Sequence, residues 1–374
     1  MLLTSACLCT AGTAGAAEWS AAPVLGWAVD HDSNRLLATD DQASQGALIQ
    51  LDVLLKRATG TSSLSLQPHL GWQQYTNNAA QNTSNQSLQA AGTWRDDRSA
   101  FAAEASVARD NAFNNELADT GIVTGSTRRR SKFGALSWTH QQSEHNQLDV
   151  QFSYSDVDYK SEREYRLFGY RYPSISITDS IDWSPRTTIQ LTAYGSRLIS
   201  QGYSSDSDSM GARVGLNRAL TSRITAFFSA GLSRQTVGSG SDSGYIGRFE
   251  LTRTDVLGQW RLHAERSISA SGYGVLVTRD DAGLSFDRRL TQRWSSTFAL
   301  RSLRNNDIAA NVSGERRRYE RAEAGLGWQA GRTWRVNATA SLTRARQTEN
   351  SPLAEGWRAI VSLIWAPQPR LVSR

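Results

Sequence analysis

The sequence holds few residues spaced for catalysis or metal binding. None of its five histidines is spaced with another in the way that metal ligands on one strand face would be. Asp30-His31-Asp32-Ser33-Asn34 begins like a calcium loop, but Arg35 follows where that loop needs glycine for its sharp turn. We interpret this segment as an ordinary polar loop. The sequence predicts no metal site and no bound cofactor.

His263 is the histidine with the most charged surroundings, because it shares one strand face with Arg261 and Glu265. A hydrolase would need a serine or an aspartate within hydrogen-bond distance of His263 or His140. A charged network in a water-filled lumen explains the same residues without catalysis. We therefore expect that the protein is not an enzyme, and we assign no catalytic residue.

Arginine is the residue type whose placement best predicts a function. The formal net charge is +6, and only three of the 41 basic residues are lysines. Strands from about residue 210 onward place nine arginines on the polar face: Arg213, Arg223, Arg248, Arg261, Arg301, Arg317, Arg321, Arg335 and Arg358. Acidic residues of the same strands are Glu250, Glu265 and Glu323, and those of earlier strands are Asp52, Glu104, Asp149 and Asp182.

These charges support two interpretations. A row of guanidinium groups along an aqueous lumen would attract anionic solutes. Alternatively, opposite charges pair with each other and only keep the lumen hydrated. Binding to nucleic acid is not expected, because the arginines are dispersed along strands and form no single basic helix or arm.

The elements that must position these residues are β-strands. In the segment from Trp334 to Leu342, every second residue is apolar, and the residues between them are Arg335, Asn337, Thr339 and Ser341. The same period of two recurs along the chain, so one face of each strand is apolar. Many such strands in series, with no helical stretch between them, predict an antiparallel meander.

Seven tryptophans show which way the strands run. Each lies beside a short connection, and none lies beside a long loop rich in Ser, Asp and Asn. The seven are Trp94, Trp183, Trp260, Trp294, Trp328, Trp334 and Trp365. Indole rings prefer the membrane interface, and outer-membrane barrels have short periplasmic turns and long external loops. We expect these tryptophans to form an aromatic belt on the periplasmic side.

The predicted fold class is all-β: a transmembrane, antiparallel, up-and-down β-barrel of about eighteen strands, with sixteen as the alternative and no plug domain. Hydrophobic residues make up 39% of the chain, below the ~45–50% of globular proteins, and a water-filled barrel needs apolar residues on one face only. A β-propeller is the soluble alternative, but no Trp-Asp or Gly-His signature recurs. We expect the protein to be integral to the outer membrane of a Gram-negative bacterium.

The chain divides into three predicted regions. Residues 1–17 are expected to be a signal peptide, because the segment is apolar and small and Ala14-Gly15-Ala16 fits a cleavage site. Residues 18–365 are the barrel, and residues 366–374 form a short periplasmic tail. Both cysteines, Cys7 and Cys9, lie in the leader, so the mature chain would form no disulfide.

Three loop segments resemble a known group of proteins. Asp32-Ser33-Asn34, Glu116-Leu117-Ala118-Asp119-Thr120-Gly121 and Arg128-Arg129-Arg130 are similar to segments of outer-membrane β-barrels encoded with exopolysaccharide and exosortase-type systems of Gram-negative bacteria. The resemblance implies a barrel that takes part in polysaccharide export or surface assembly. It implies no catalytic residue.

Our first functional hypothesis is therefore a conduit or accessory pore for exopolysaccharide. The alternative is a general diffusion porin for small solutes, including anionic ones, and a barrel hydrolase is a third hypothesis. A long loop folded into the lumen would favour the porin, with 110–131 as the candidate, whereas an open lumen would favour the polymer conduit. The expected partners are outer-membrane lipid and lipopolysaccharide, the barrel assembly machinery, and polysaccharide or periplasmic export proteins. Lipid phosphates would meet Arg128-Arg129-Arg130 and Arg316-Arg317-Arg318.

Overall fold

The chain folds into one antiparallel sheet. The computed structural model describes residues 17–37, 43–76, 82–112, 116, 127–160, 167–202, 206–238, 240–308, 316–347 and 351–373. The strands are β1 (Glu18–Asp32), β2 (Ser44–Ala58), β3 (Ser62–Tyr75), β4 (Thr83–Arg95), β5 (Ser99–Asn111), β6 (Arg128–Ser143), β7 (Asn146–Tyr159), β8 (Tyr170–Ser184), β9 (Thr187–Ser200), β10 (Ser207–Ala219), β11 (Ile224–Val237), β12 (Gly240–Asp255), β13 (Gly258–Ala270), β14 (Leu276–Arg289), β15 (Trp294–Asp307), β16 (Arg316–Gln329), β17 (Trp334–Arg346), β18 (Ala354–Trp365) and β19 (Arg370–Ser373).

Consecutive strands pair with one another, and the last pairs with the first. β1 pairs with β2 along its whole length and with β18 from Leu25↔Trp365 to Asp32↔Arg358. The short β19 pairs with the start of β1, so it continues the line of β18 after a break. The prediction of a closed, all-β, eighteen-strand barrel is confirmed, and the sixteen-strand alternative is wrong.

The predictions for the two ends of the chain were a signal peptide and a short periplasmic tail. Residues 1–16 of the predicted signal peptide lie outside the described residues. The predicted tail after Trp365 contains β19, whose pairing with Trp19–Ala21 makes it part of the barrel wall. Within the described part of the chain, no helix has both the length and the apolar character needed to cross a membrane.

The outer wall carries the apolar face of every strand. Leu232, Val214 and Phe228 are each more than half exposed, as buried core residues of a soluble protein would not be. The register places them side by side, because Val214 pairs with Ala230 and Phe228 pairs with Leu216. A closed sheet has no unpaired edge, so its backbone is satisfied while apolar side chains face lipid.

Side-chain oxygens stabilise the short connections by accepting hydrogen bonds from backbone N–H groups of the same turn. Asp96 accepts hydrogen bonds from the backbone N–H groups of Arg98 (2.9 Å) and Ser99 (2.6 Å), and these bonds lower the pKa of its carboxyl. Thr291 accepts the N–H groups of Arg293 (3.2 Å) and Trp294 (3.1 Å) in the same manner. Such local bonds hold a tight turn without glycine.

Candidate functional site: the lumen of the barrel

The inward face of the first half of the barrel is lined mainly by hydroxyl and amide groups. Cross-strand hydrogen bonds join Ser153 to Ser174 (2.7 Å) and Thr178 to Thr192 (3.0 Å). Further inward residues of this half, set by the period of two, include Ser65, Gln67, Ser87, Gln89, Ser106, Ser137, Gln151, Ser176 and Gln190. This wall offers neutral donors and acceptors to water or to a polar solute.

The four acidic residues predicted for this half all lie on the inward face, and each has a partner. Asp52 accepts from His69 Nδ1 at 2.8 Å, and Glu104 accepts from Gln89 at 2.9 Å. Asp149 accepts from Thr139 (2.6 Å) and Gln147 (2.9 Å), and Asp182 accepts from Thr188 (2.7 Å).

The second half of the barrel carries most of the inward arginines, and Asp281 on β14 is the centre of their network. Arg301 binds its carboxylate with both Nε (3.1 Å) and Nη2 (2.7 Å), and Arg279 binds it at 2.9 Å. His263 Nε2 lies 3.6 Å away. Sequence reasoning missed Asp281 and Arg279, which the pairing of Asp281 with Glu265 places on the inward face.

Other inward arginines also have carboxylate partners. Arg248 donates to Glu250 at 2.6 Å, and Arg261 lies 3.5 Å from the same carboxylate. Arg321 pairs with Glu323 on its own strand. Arg358 pairs with Asp30 at 2.8 Å and lies 3.9 Å from Asp32. Glu265 faces inward between Arg248 and Asp281 in the register.

Two inward arginines have no carboxylate partner among the described residues. Arg213 lies opposite Thr192 and Gly231 in the register. Arg335 donates only to the amide oxygen of Gln329 at 3.2 Å. Together with the loosely paired Arg261, these guanidiniums are the least closely paired positive charges of the wall. Glu265 and Asp287 are inward carboxylates of the same half that form no ion pair with a described residue.

Two of the nine predicted arginines do not face the open lumen. Arg223 is in the short turn before β11, where it pairs with Asp255 at 3.1 Å on the rim. Arg317 is inward but completely buried, and it pairs with Asp307 while its guanidinium carbon lies 4.7 Å from the centre of the Tyr273 ring. Neither is therefore available to a solute in the middle of the lumen.

The two arginine triplets are each split between the faces of a strand. Arg129 points inward, like Arg317, and pairs with Asp110 at 3.1 Å. Arg128 and Arg130 point outward, as do Arg316 and Arg318. Successive side chains of a strand point to opposite faces, so only the first and third arginine of each triplet can contact lipid.

Loops fold inward and meet inside the barrel. Glu116, from the connection between β5 and β6, is buried and accepts a hydrogen bond from the inward Tyr159. Phe168, from the connection between β7 and β8, donates its N–H to Gly272 of the β13–β14 connection at 2.8 Å. A Cβ at Gly272 would lie 2.8 Å from the Tyr159 hydroxyl. These contacts span the distance between β7 and β13, so they constrict the lumen.

The first connection also folds inward. Arg35 is buried and donates to the Tyr75 hydroxyl, with its guanidinium 4.0 Å above that ring. Burial, and then repulsion from Arg358, lower the pKa of Arg35 to about 10. Leu37 packs in a cluster with Leu303 of β15 and Tyr319 of β16.

His140 has the serine neighbour that a hydrolase would need. Ser99 Oγ lies 3.0 Å from His140 Nδ1 on the outer face, beside a short turn. The neighbouring N–H groups of Arg98 and Ser99 already donate to Asp96, so they are not free to bind an oxyanion. In the described part of the chain, no three His, Cys, Asp or Glu residues are grouped to hold a metal ion.

The predicted belt residues all lie on the outward face near short turns. Trp294 stacks with Trp328 at 6.1 Å, and Trp334 pairs with Trp365 across the strands. Trp94 contacts Phe101 at 5.6 Å, Trp183 is the most exposed of the seven, and Trp260 pairs with Phe286. A second set that the sequence analysis overlooked, Trp72, Tyr245 and Trp357, is exposed near the loop ends. The two sets bound the apolar band of the outer wall.

Solved outer-membrane porins share this fold. OccK5 (OpdH) of Pseudomonas aeruginosa matches with a TM-score of 0.53 and 11% identity, over 94% of this chain and 98% of that chain. OccK2 (OpdF) of the same organism, solved in complex with glucuronate, matches with a TM-score of 0.50 and 12% identity, over 93% and 98%. No protein-family model matches the sequence, and no curated protein sequence does.

The outer-membrane location is confirmed by this architecture and by the apolar outer wall. The hypothesis of an exopolysaccharide conduit is wrong, because the structures that share the fold are porins for small solutes. The inward loops agree with this correction, since the contact of Phe168 with Gly272 closes part of the space that a polymer would need. The association with exopolysaccharide systems that the resemblance implied is not supported.

Proposed function

We propose that the protein is a diffusion channel for small anionic solutes that carry hydroxyl groups, such as sugar acids. The division of the lumen is the observation that carries this proposal. One half presents arginines, of which Arg213, Arg261 and Arg335 are loosely paired or lack a carboxylate. The other half presents serine, threonine and glutamine side chains. Guanidinium groups bind carboxylates, and neutral hydroxyl and amide groups exchange hydrogen bonds with sugar hydroxyls.

Two further observations support a small solute. Loop residues Glu116, Phe168 and Gly272 meet inside the barrel and limit its width. Glucuronate, the ligand of one solved neighbour, combines a carboxylate with several hydroxyls. We propose no hydrolase activity, because the N–H groups of Arg98 and Ser99 beside His140 already donate to Asp96.

The test is ion selectivity in planar bilayers. We expect the native channel to prefer anions, and the preference to weaken as salt rises, because the Debye length of ~8 Å at physiological salt falls to ~3 Å at 1 M. Replacing Arg213, Arg261 and Arg335 together by glutamine should shift the reversal potential toward cations. Arg218→Gln/Arg253→Gln/Arg288→Gln is the matched control, because these arginines lie on the outer face near short turns.

Solute preference is tested by liposome swelling. Glucuronate should enter faster than glucose, which is neutral and of similar size, and the lumen triple variant should remove the difference. Equal rates for both solutes in the native channel would contradict the proposal, as would a cation preference at low salt.

A further inference from the structure

Three arginines form a row on the outer wall of the barrel. Arg304 pairs with Arg318 across β15 and β16, and Arg318 pairs with Arg346 across β16 and β17. All three are exposed and share the outward face with Leu300 and Leu342. Adjacent strands lie ~4.8 Å apart, so the three positions span about 10 Å. Like charges directly opposite each other destabilise a sheet unless something neutralises them.

The protein neutralises this row only in part. Arg318 donates from Nε to Glu320 at 2.9 Å. Arg304 and Arg346 form no ion pair with any residue that the structure describes. The neighbouring Arg344 is already paired with Glu355 at 3.0 Å. The row therefore keeps excess positive charge on the outer wall.

The row lies at the external edge of the apolar band. Along β15, Leu300 is followed on the outward face by Ser302 and then Arg304. Along β17, Leu342 is followed by Arg344 and Arg346. Leu342 itself pairs with Trp357 of the loop-end aromatic set. The guanidiniums are thus placed where lipid headgroups of the outer leaflet begin.

A groove on the outer wall runs beside one end of the row. Its floor includes Ala264 and Ala282, which pair with each other, and Phe249 stands beside them. At the end of the groove nearest the arginine row, Asp280 accepts two hydrogen bonds from Arg266, of 2.5 and 2.6 Å. Asp280 pairs with Arg304 across β14 and β15. Small floor residues between larger apolar ones leave room for a hydrocarbon chain.

We propose that this surface binds one lipopolysaccharide molecule, with a phosphate of its lipid A on Arg304, Arg318 and Arg346 and an acyl chain along the groove. Guanidinium groups bind phosphate oxygens in a bidentate manner, which explains why arginine fills all three positions. The groove fits the same ligand, because in lipid A the phosphates and the acyl chains are joined to one disaccharide. The site is separate from the lumen, so it does not depend on the proposed transport function.

The experiment measures lipid binding to the full chain in mild detergent by native mass spectrometry. Purified bisphosphorylated lipid A should bind in a 1:1 complex. Arg304→Gln/Arg318→Gln/Arg346→Gln should weaken this binding at least tenfold. Arg218→Gln/Arg253→Gln/Arg288→Gln makes the same charge change at the other edge of the apolar band and should leave it unchanged. Heat modifiability on gels establishes that each variant is folded.

A second variant and further lipids separate the alternatives. Ala282→Phe should weaken lipid A binding without a change of charge, because it fills the groove. Dephosphorylated lipid A should bind poorly. The proposal is overturned if dephosphorylated lipid A or phosphatidylglycerol binds as tightly as lipid A, or if the arginine triple variant binds normally. It is also overturned if the triple substitution instead dissociates an oligomer, since a second copy of the chain would then cover this surface.

Discussion

Asp281 is the residue on which the charge of the basic wall most depends. Its carboxylate is held by Arg279 and Arg301 and lies near His263, and little of it is exposed. Asp281→Asn would remove the carboxylate charge that both guanidiniums share. We expect a stronger anion preference in bilayer conductance and a loss of stability of about 1.5–3 kcal/mol, typical of a hydrogen-bonded charge. Urea unfolding in lipid vesicles measures the second effect.

Asp179→Asn is the matched control, because Asp179 lies on the outward face between Ile177 and Ile181. It makes the same charge change outside the lumen and should leave selectivity unaltered. Equal selectivity of the Asp281 and Asp179 variants would show that the network does not set the field in the pore.

Sequence alone could place most inward charges but not their partners. Apolar neighbours such as Leu262 and Ala264 show which face of the strand is outward, so the sequence predicts that Arg261 and Glu265 face inward. The run Arg279-Asp280-Asp281 is polar on both faces of the strand, so the neighbouring residues do not show which of these side chains face inward. Arg223 was misplaced because a strand and a turn differ there by one residue.

At the scale of elements, the inward loops are the feature with the clearest consequence for transport. Gly272 packs so closely that a Cβ would lie 2.8 Å from the Tyr159 hydroxyl and 2.9 Å from the Glu116 carboxylate. Gly272→Val should therefore displace the β13–β14 connection from its contact and widen the channel. We expect a higher single-channel conductance and faster swelling with solutes larger than glucuronate.

Gly331→Val is the control for this change. Gly331 lies in a short turn with nothing within 4 Å of its Cβ position, so conductance should not change. Unaltered conductance in Gly272→Val would mean that this contact is not part of the narrowest region. The sequence predicts the 110–131 loop as a constriction; residues 113–115 and 117–126 of that loop lie outside the described residues. The sequence does not indicate that Phe168 and Gly272 meet, because only the closed barrel brings those loops together.

At the scale of the whole molecule, the fold could be predicted because one simple rule repeats. Period-two strands and short turns recur along the chain, and each pairs with its neighbours in sequence. The closure of the barrel, where the last strands pair with β1, was less predictable. β19 continues the direction of β18 and also pairs with β1, although Pro367 and Pro369 interrupt the strand pattern between them. Proline cannot donate a ladder hydrogen bond, which explains the break.

The orientation of the barrel in the membrane can be tested by labelling variants that each carry a single cysteine. With Cys7 and Cys9 replaced by serine, Gly331→Cys places a thiol in a short turn and Ser241→Cys places one at the exposed loop end of β12. A thiol reagent too large to pass the lumen should label Ser241→Cys on intact cells and label Gly331→Cys only after lysis. Short turns face the periplasm in outer-membrane barrels, and the seven tryptophans lie at that end. Labelling of Gly331→Cys on intact cells would reverse the barrel and place the arginine row Arg304, Arg318 and Arg346 at the periplasmic leaflet, where lipopolysaccharide is absent.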